Sequence, residues 1–262
     1  MQAQTESRPV FILGSGRSGT SILTAAIKQG GEIAGFNEGH FLPLLGHFMR
    51  ETERYFRIKR NLLDDPRHMI AHVDSSSLET EIISLFKRQF EAIQEDERWL
   101  DKSPGAAMIR AVPFLKQAWP GADFIFAKRR GIENVQSRLK KFPHVDFENH
   151  CRQWADCMTA WLEVKDKVAD RSIEVEQRDI ARRAQDVAVR IGQLLEFGPG
   201  QIKRVADIFT NSRPQDTGGQ ENDKALDIRE TGWTSQQIRI FQKHCGAVSE
   251  RFGYSETSTY FL

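Results

Sequence analysis

A glycine-rich segment near the start of the chain carries the residue types that bind a phosphate-like anion. Residues 10–13 are apolar and predict a short buried strand, and residues 14–19 form a loop of glycine, serine and one arginine. A helix is expected to begin at Thr20. Backbone N–H groups and the positive end of a helix attract an anion at such a junction. The candidate anion-binding residues are Gly16, Arg17, Ser18, Gly19, Thr20 and Ser21.

The cation of this loop lies in an unusual place. The spacing from Gly14 to Gly19 matches the ATP-type P-loop, in which a lysine follows the last glycine. This chain has Thr20 at that position, and its cation, Arg17, lies inside the loop. The loop therefore indicates a phosphate-like ligand that is bound differently from the ATP of a P-loop ATPase.

Carboxylate, imidazole and ammonium groups follow two later strands. Residues 32–36 predict a short strand or an extended turn that precedes Glu38 and His40, and Lys102 ends another short strand before Pro104. Ligand chemistry in open parallel sheets gathers at the carboxyl ends of the strands. Glu38 and His40 are alternative general bases at that edge, and Lys102 can stabilise negative charge on a reacting group.

A third motif combines an apolar strand with an arginine. Residues 122–128 predict a buried strand that continues into Arg129 and Arg130, and Ser137 lies eight residues after Arg129 on the next helix. An arginine gives a phosphate a planar pair of donors, and a hydroxyl adds a further hydrogen bond. A P-loop kinase instead needs an aspartate at a strand end to hold magnesium. Two separate anion sites indicate a nucleotide that carries phosphate at both ends.

Together these motifs resemble those of the sulfotransferases that use 3′-phosphoadenosine 5′-phosphosulfate. The loop at 14–21 is similar to the 5′-phosphosulfate loop of that family, and Arg129 with Ser137 fits its 3′-phosphate motif. The sequence Lys-Ser-Pro that begins at Lys102 is similar to the family's Lys-x-Pro. The nearest branches in motif are the bacterial and tyrosylprotein-type sulfotransferases, which place a catalytic glutamate where this chain has Glu38.

The resemblance implies both a fold and a reaction. We expect a three-layer, P-loop-like α/β fold with a central parallel sheet, helices on both faces and a helical cap on the acceptor side. The implied reaction moves a sulfuryl group to a hydroxyl or amine and leaves adenosine 3′,5′-bisphosphate. Glu38 is then favoured over His40 as the base. Arg17, Lys102 and the N–H groups of residues 18–21 would stabilise the negative charge without a metal ion.

Two positions depart from the pattern of the family. Arg130 stands where members usually have aspartate or asparagine, which leaves both Arg129 and Arg130 as candidate ligands of the 3′-phosphate. Gln177 stands where a tyrosine usually lines the adenine pocket. The sequence therefore supports the phosphate contacts better than the adenine contacts.

The chain is expected to form a single domain over residues 1–262 with two added features. Residues 41–98 predict a helical cap insertion, whose second helix begins with a capping box at 76–79. Residues 210–231 are polar and predict a flexible lid. The residues expected on the buried faces of the cap helices are Phe41, Leu44, Leu45, Phe48 and Met49, then Ile82, Leu85, Phe86, Phe90 and Ile93. The lid residues that are candidates for nucleotide contacts are Arg213, Lys224 and Arg229.

Composition narrows the class of partner. The chain has 37 basic and 36 acidic residues, and no basic stripe with interleaved aromatic residues favours nucleic acid. No signal peptide or membrane-length apolar run is found, and the three cysteines form no C-x-x-C pattern. We therefore expect a cytoplasmic protein. The acceptor is expected to be a small molecule, a carbohydrate, a lipid or a peptide, and the oligomeric state stays open.

Two other functional classes remain open at this point. A P-loop kinase would use Asp101 or Asp123 to hold magnesium with ATP. A non-catalytic nucleotide-binding module would keep both anion sites but would need neither Glu38 nor Lys102. Magnesium-dependent binding of ATP would identify the first class, and a lack of turnover with any acceptor would identify the second.

Overall fold

A parallel β-sheet forms the centre of the molecule. In this computed structural model, which describes residues 7–94, 96–211 and 225–262, five strands lie in the order β2-β3-β1-β4-β5. Each pairs in parallel with its neighbours. The strands are β1 (Val10–Gly14), β2 (Gly35–Phe36), β3 (Leu100–Lys102), β4 (Asp123–Lys128) and β5 (Ser172–Glu176). The predicted α/β fold with a central parallel sheet is confirmed.

Helices pack on both faces of this sheet. In the described part of the chain they are α1 (Thr20–Gln29), α2 (Leu42–Ile58), α3 (Ser75–Glu91), α4 (Ala106–Ala118), α5 (Gly131–Lys141), α6 (Phe147–Val164), α7 (Gln177–Arg182), α8 (Ala184–Leu195), α9 (Pro199–Asn211), α10 (Ser235–Phe241) and α11 (Ala247–Arg251). None of these described helices combines the length and the apolar character that crossing a bilayer requires.

The alternation of side chains along β1 divides the core into two layers. Phe11 and Leu13 are buried on one face, against residues of α2, α3, α4 and α6. Val10 and Ile12 are buried on the other face, against residues of α1, α8 and α9. A strand that is covered on both faces is apolar throughout, which explains why residues 10–13 read as one hydrophobic run. The candidate site residues lie at the carboxyl ends of the strands.

The first two long helices after β2 have apolar stripes that are only partly buried. Leu45 and Phe86 are buried as predicted, whereas Leu44 is 43% exposed and Phe48 is 51% exposed. Leu85 and Ile93 of the second stripe are also exposed. The prediction that both stripes pack in the core is therefore wrong for these four exposed residues, because helical spacing shows which residues share a face but not how far the neighbouring element covers it.

The capping box predicted at 76–79 is also wrong. Helix α3 begins at Ser75, and its N-cap is Asp74, which has extended backbone angles. The Asp74 carboxylate accepts a hydrogen bond from the N–H of Ser76 at 3.1 Å. An aspartate at this position is as good a cap as a serine, so the helix begins before the predicted box and Ser76 lies in its first turn.

The segment predicted as a lid lies partly outside the described residues, and Arg213 and Lys224 lie outside them as well. Its first two residues end α9, and among residues 225–231 Ala225, Asp227 and Ile228 are buried, whereas Arg229 and Glu230 are exposed. Arg229 is described, and its Nη2 lies 2.7 Å from the Asp227 carboxylate.

Candidate active site

The anion-binding loop is a tight turn between β1 and α1. Gly14 has φ +142°, and a Cβ there would lie 2.3 Å from the carbonyl oxygen of Ala127, so only glycine fits. Gly19, with φ +90°, is the N-cap of α1. Within the described chain no side chain caps that end of the helix. A helix N-terminus of this kind offers N–H donors and a positive dipole end to an anion.

Arg17 connects the two predicted anion sites. Its backbone lies in the left-handed region, with φ +73°. Its Nε donates to the Ser137 hydroxyl at 3.0 Å, and its carbonyl oxygen accepts from Nη1 of Arg129 at 3.1 Å. The structure therefore brings Arg17, Arg129 and Ser137 together, although Ser137 lies 120 residues after Arg17 in the chain.

The Arg129 guanidinium has capacity for a further acceptor. It follows β4 directly, and its buried Nε has no hydrogen-bond partner among the described residues. Burial lowers the pKa of Arg129, although the charge of Glu133 acts in the opposite direction. A buried donor without an acceptor is costly, so an oxyanion at this position would be stabilising. Arg129 thus has the properties expected of a phosphate ligand.

Arg130, the alternative phosphate ligand in the sequence, has a different environment. Its side chain is 1% exposed and pairs with Glu133 of α5. Nη1 donates to the carbonyl oxygens of Ser255, Thr257 and Thr259 at 2.9–3.0 Å, and Nη2 donates to that of Leu226. These partners occupy the guanidinium and anchor the end of the chain. Of the two arginines, Arg129 is the one that faces the loop.

The second part of the site is built from residues after β2 and from the end of β3. Nζ of Lys102 donates to Oε1 of Glu38 at 2.8 Å, and Nε2 of His40 lies 3.2 Å from the other carboxylate oxygen of Glu38. The hydrogen bond from Lys102 lowers the pKa of Glu38, and His40 adds to this effect. Lys102 is buried, whereas Glu38 and His40 are exposed. The structure therefore brings all three predicted residues together, with Glu38 ionised and facing solvent.

Comparison with known proteins shows the family of this chain. A family model described as "Sulfotransferase family" matches residues 9–197, which is more than half of the chain. This chain belongs to the sulfotransferase family. A search of curated proteins finds no match.

Solved structures share the fold of this sulfotransferase. Sulfotransferase STF9 from Mycobacterium avium is similar with a TM-score of 0.57 and 16% identity, over 98% of this chain and 79% of the other. The sulfotransferase domain of the Synechococcus PCC 7002 olefin synthase gives a TM-score of 0.55 and 20% identity, over 97% and 98%. A sulfotransferase domain from the curacin biosynthetic pathway gives a TM-score of 0.51 and 17% identity, over 95% of this chain and 98% of the other.

Two residues of α5 at the site were missed by sequence reasoning. The Asn134 amide donates to the carbonyl oxygen of Gly16 at 3.1 Å and to the Ser18 hydroxyl at 3.0 Å. Arg138 also lies beside the loop, because a Cβ on Gly16 would be 3.3 Å from its Nη1. No local pattern marks these residues, since they are more than 110 positions from the loop. The only signal was their place on the same helix as Ser137.

Gln177 approaches the loop from the other side. It is the first residue of α7, and its Cγ would lie 3.2 Å from a Cβ on Gly19. The residue that replaces the family's tyrosine is therefore next to the N-terminus of α1. Adenine contacts of Gln177 stay a prediction.

Proposed function

We propose that this sulfotransferase transfers a sulfuryl group from 3′-phosphoadenosine 5′-phosphosulfate to a hydroxyl or amine of an acceptor. The observation that carries the proposal is the pairing of two cationic sites through Arg17, with the Glu38–Lys102 pair across the same edge of the sheet. One site suits the 5′-phosphosulfate, and the other suits a 3′-phosphate.

The donor contacts in this proposal come from the loop and from α5. The N–H groups of residues 18–21 and the Arg17 guanidinium would bind the sulfuryl oxygens and the bridging phosphate. Arg129 and Ser137 would bind the 3′-phosphate, which would supply the acceptor that Nε of Arg129 requires. The donor itself supplies a sulfur centre with a phosphate as leaving group.

The acceptor contacts begin at Glu38. Its ionised carboxylate is exposed and can accept the proton of the attacking hydroxyl, while Lys102 holds one carboxylate oxygen in place. The same lysine can stabilise charge that develops on the transferring group. Fixed cations thereby take the role that magnesium has in phosphoryl transfer.

The positions of the two aspartates disfavour the kinase alternative. Asp123 is the first residue of β4, in register with Val10, and so lies at the opposite end of the sheet from the loop. Its carboxylate is paired there with Arg171 at 2.7 Å. Asp101 is buried and accepts hydrogen bonds from Gly39 and Ser103.

Calorimetric titration tests the proposal. Adenosine 3′,5′-bisphosphate should bind tightly without magnesium, and adenosine 5′-monophosphate should bind much more weakly because it lacks the 3′-phosphate. ATP serves as the control, with and without magnesium. A preference for magnesium-ATP would refute the donor assignment and favour the kinase reading.

A further inference from the structure

The turn that carries Glu38 is held by a closed set of hydrogen bonds from β3. The N–H of Gly39 donates to Oδ1 of Asp101 at 3.0 Å, and the N–H of His40 donates to the Ser103 hydroxyl at 3.0 Å. The Ser103 hydroxyl donates in turn to Oδ2 of Asp101 at 3.1 Å. We call Asp101 and Ser103 with these bonds the Asp101 bracket. It holds the backbone on the C-terminal side of Glu38.

The bracket is buried at a cost. Asp101 is 0% exposed and Ser103 is 1% exposed. Burial raises the pKa of Asp101 to about 6, against the hydrogen bonds from Ser103 and Gly39. A buried carboxylate is costly in free energy unless hydrogen bonds satisfy it. Here the same hydrogen bonds also hold the turn at residues 39–40.

The turn itself needs external support. A Cβ on Gly39 would lie 2.2 Å from Oδ1 of Asp101, so a larger residue cannot approach the bracket. His40 has φ +54°, a conformation that non-glycine residues adopt at a cost in free energy. The hydrogen bond from the His40 N–H to Ser103 offsets that cost. Without the bracket we expect the turn to relax and Glu38 to leave Lys102.

We propose that Asp101 and Ser103 are positioning residues, which hold the Gly39–His40 backbone so that the Glu38 carboxylate stays on Lys102 and faces the acceptor. Neither residue needs to touch a substrate for this role. The inference rests on the proposed function of Glu38 as the base.

The pKa of Glu38 reports on this geometry. The groups that face the Glu38 carboxylate are Lys102 from β3 and His40 from its own turn. The charge of Asp101 interacts with the same two groups. Ser103 carries no charge and does not act on the Glu38 carboxylate directly, so we expect its removal to change the pKa of Glu38 by moving the carboxylate relative to these neighbours.

The test is Ser103→Ala, read by NMR in the full chain. The carboxyl carbon of Glu38, assigned with Glu38→Gln, is titrated with pH, and exchange of the His40 amide proton is followed. In the variant we expect the titration of Glu38 to move to higher pH and the His40 amide to exchange at least tenfold faster. If both match the wild type, the proposal is wrong.

Ser255→Ala is the matched control. Ser255 is 5% exposed, and its hydroxyl accepts a backbone N–H, that of Thr257, at 3.0 Å. It follows Tyr254, which contacts Glu176 of β5, so it lies by the opposite edge of the sheet from Glu38. The control should lower stability without moving the titration of Glu38. An equal shift in both variants would mean general loosening and would refute the bracket.

Turnover separates this inference from the proposed function. Release of adenosine 3′,5′-bisphosphate from the phosphosulfate donor is measured with water as acceptor, and affinity for the bisphosphate is measured separately. Ser103→Ala should lower the rate about tenfold and leave that affinity within twofold. An unchanged rate despite a shifted titration would refute the positioning role. If Glu38→Gln also leaves the rate unchanged, the base assignment fails instead.

Discussion

The two halves of the site are built differently. In the half that we propose binds the donor, called the donor half here, the loop at 14–19 is tied to its neighbours by Arg129, Asn134 and Ser137, each through a direct hydrogen bond. In the half that we propose binds the acceptor, called the acceptor half, the Glu38 side chain is 52% exposed. Leu44, Phe48 and Tyr55 on the adjoining helix α2 are exposed as well.

This difference is in the number of fixed contacts and in the exposure of the side chains. Donors that are fixed before the ligand arrives need no reorganisation when charge develops, and this favours a rigid donor half. The acceptor half combines one fixed feature, the Glu38–Lys102 pair, with an apolar helix surface that is open to solvent. We infer that donor chemistry is determined by the rigid half and acceptor choice by the open half.

The largest expected effect comes from Glu38→Gln. The amide cannot accept the acceptor's proton, so we expect turnover to fall about 10³-fold. The affinity for adenosine 3′,5′-bisphosphate should hardly change, because no donor-half contact is removed. Steady-state rates and calorimetry measure the two quantities. Near-wild-type turnover would contradict the base assignment, and His40 would then be the residue to change.

Arg129→Ala should affect the donor half alone. Loss of a charge-assisted pair to the 3′-phosphate should weaken binding of adenosine 3′,5′-bisphosphate about 100-fold. Binding of adenosine 5′-monophosphate should change little. Arg129→Lys retains the charge without the planar pair of donors, so its affinity for adenosine 3′,5′-bisphosphate should lie between those of wild type and Arg129→Ala. Equal losses for both nucleotides would show that Arg129 supports the loop instead of the 3′-phosphate.

The donor half was largely predictable because its signals are local. The strand at 10–13, the glycines after it and the helix from Thr20 lie within one short stretch, and each has a direct physical meaning. The environment of Arg130 was not predictable in this way. Its carbonyl partners lie in residues 226–259, about 100 positions or more along the chain. Only the folded chain shows which of two adjacent arginines turns toward the loop.

In the acceptor half, the sequence indicated which residues come together but not which residues hold them in place. Glu38 and Lys102 were identified by their place after short strands, and the structure brings them together. Asp101 and Ser103 stand beside Lys102 in the sequence, yet nothing local indicates that they bond the backbone of Gly39 and His40, 62 and 63 positions away. Every residue except proline has a backbone N–H, so the type of residue does not show which N–H a side chain will bind.

Glu176 gives a smaller and pH-dependent test on the donor side. Burial raises its pKa to about 7, against hydrogen bonds from the hydroxyls of Tyr254 and Tyr260. The folded state therefore binds more protons than the unfolded state between pH 4.5 and about 7, so this carboxyl lowers stability as pH rises through that window. This loss of stability is absent below pH 4.5 and complete above about pH 7, where it reaches up to about 3 kcal/mol.

Glu176→Gln removes this titration. Urea unfolding at pH 5 and pH 8 measures the free energy of unfolding of both proteins. The value for the variant minus the value for wild type should increase with pH. Glu174→Gln is the control. Burial raises the pKa of Glu174, but the hydrogen bond and charge of Lys128 outweigh this and lower the pKa below its ordinary value of 4.5. Wild type therefore loses that contribution only as pH falls below 4.5, and the control should show no such slope between pH 5 and pH 8. The same slope in both variants would contradict the assignment.

The smallest expected effect distinguishes surface from core in the acceptor half. Phe48 and Phe86 lie in contact, with ring centroids 5.9 Å apart, yet Phe48 is 51% exposed and Phe86 is 6% exposed. Phe86→Ala should lower the free energy of unfolding by about 3 kcal/mol, because it leaves a cavity. Phe48→Ala should cost less than about 1 kcal/mol, since much of its ring already meets water. Urea unfolding compares the two. A loss above about 2 kcal/mol for Phe48→Ala would place this ring in the core, and the open half would then be smaller than the exposed residues of α2 indicate.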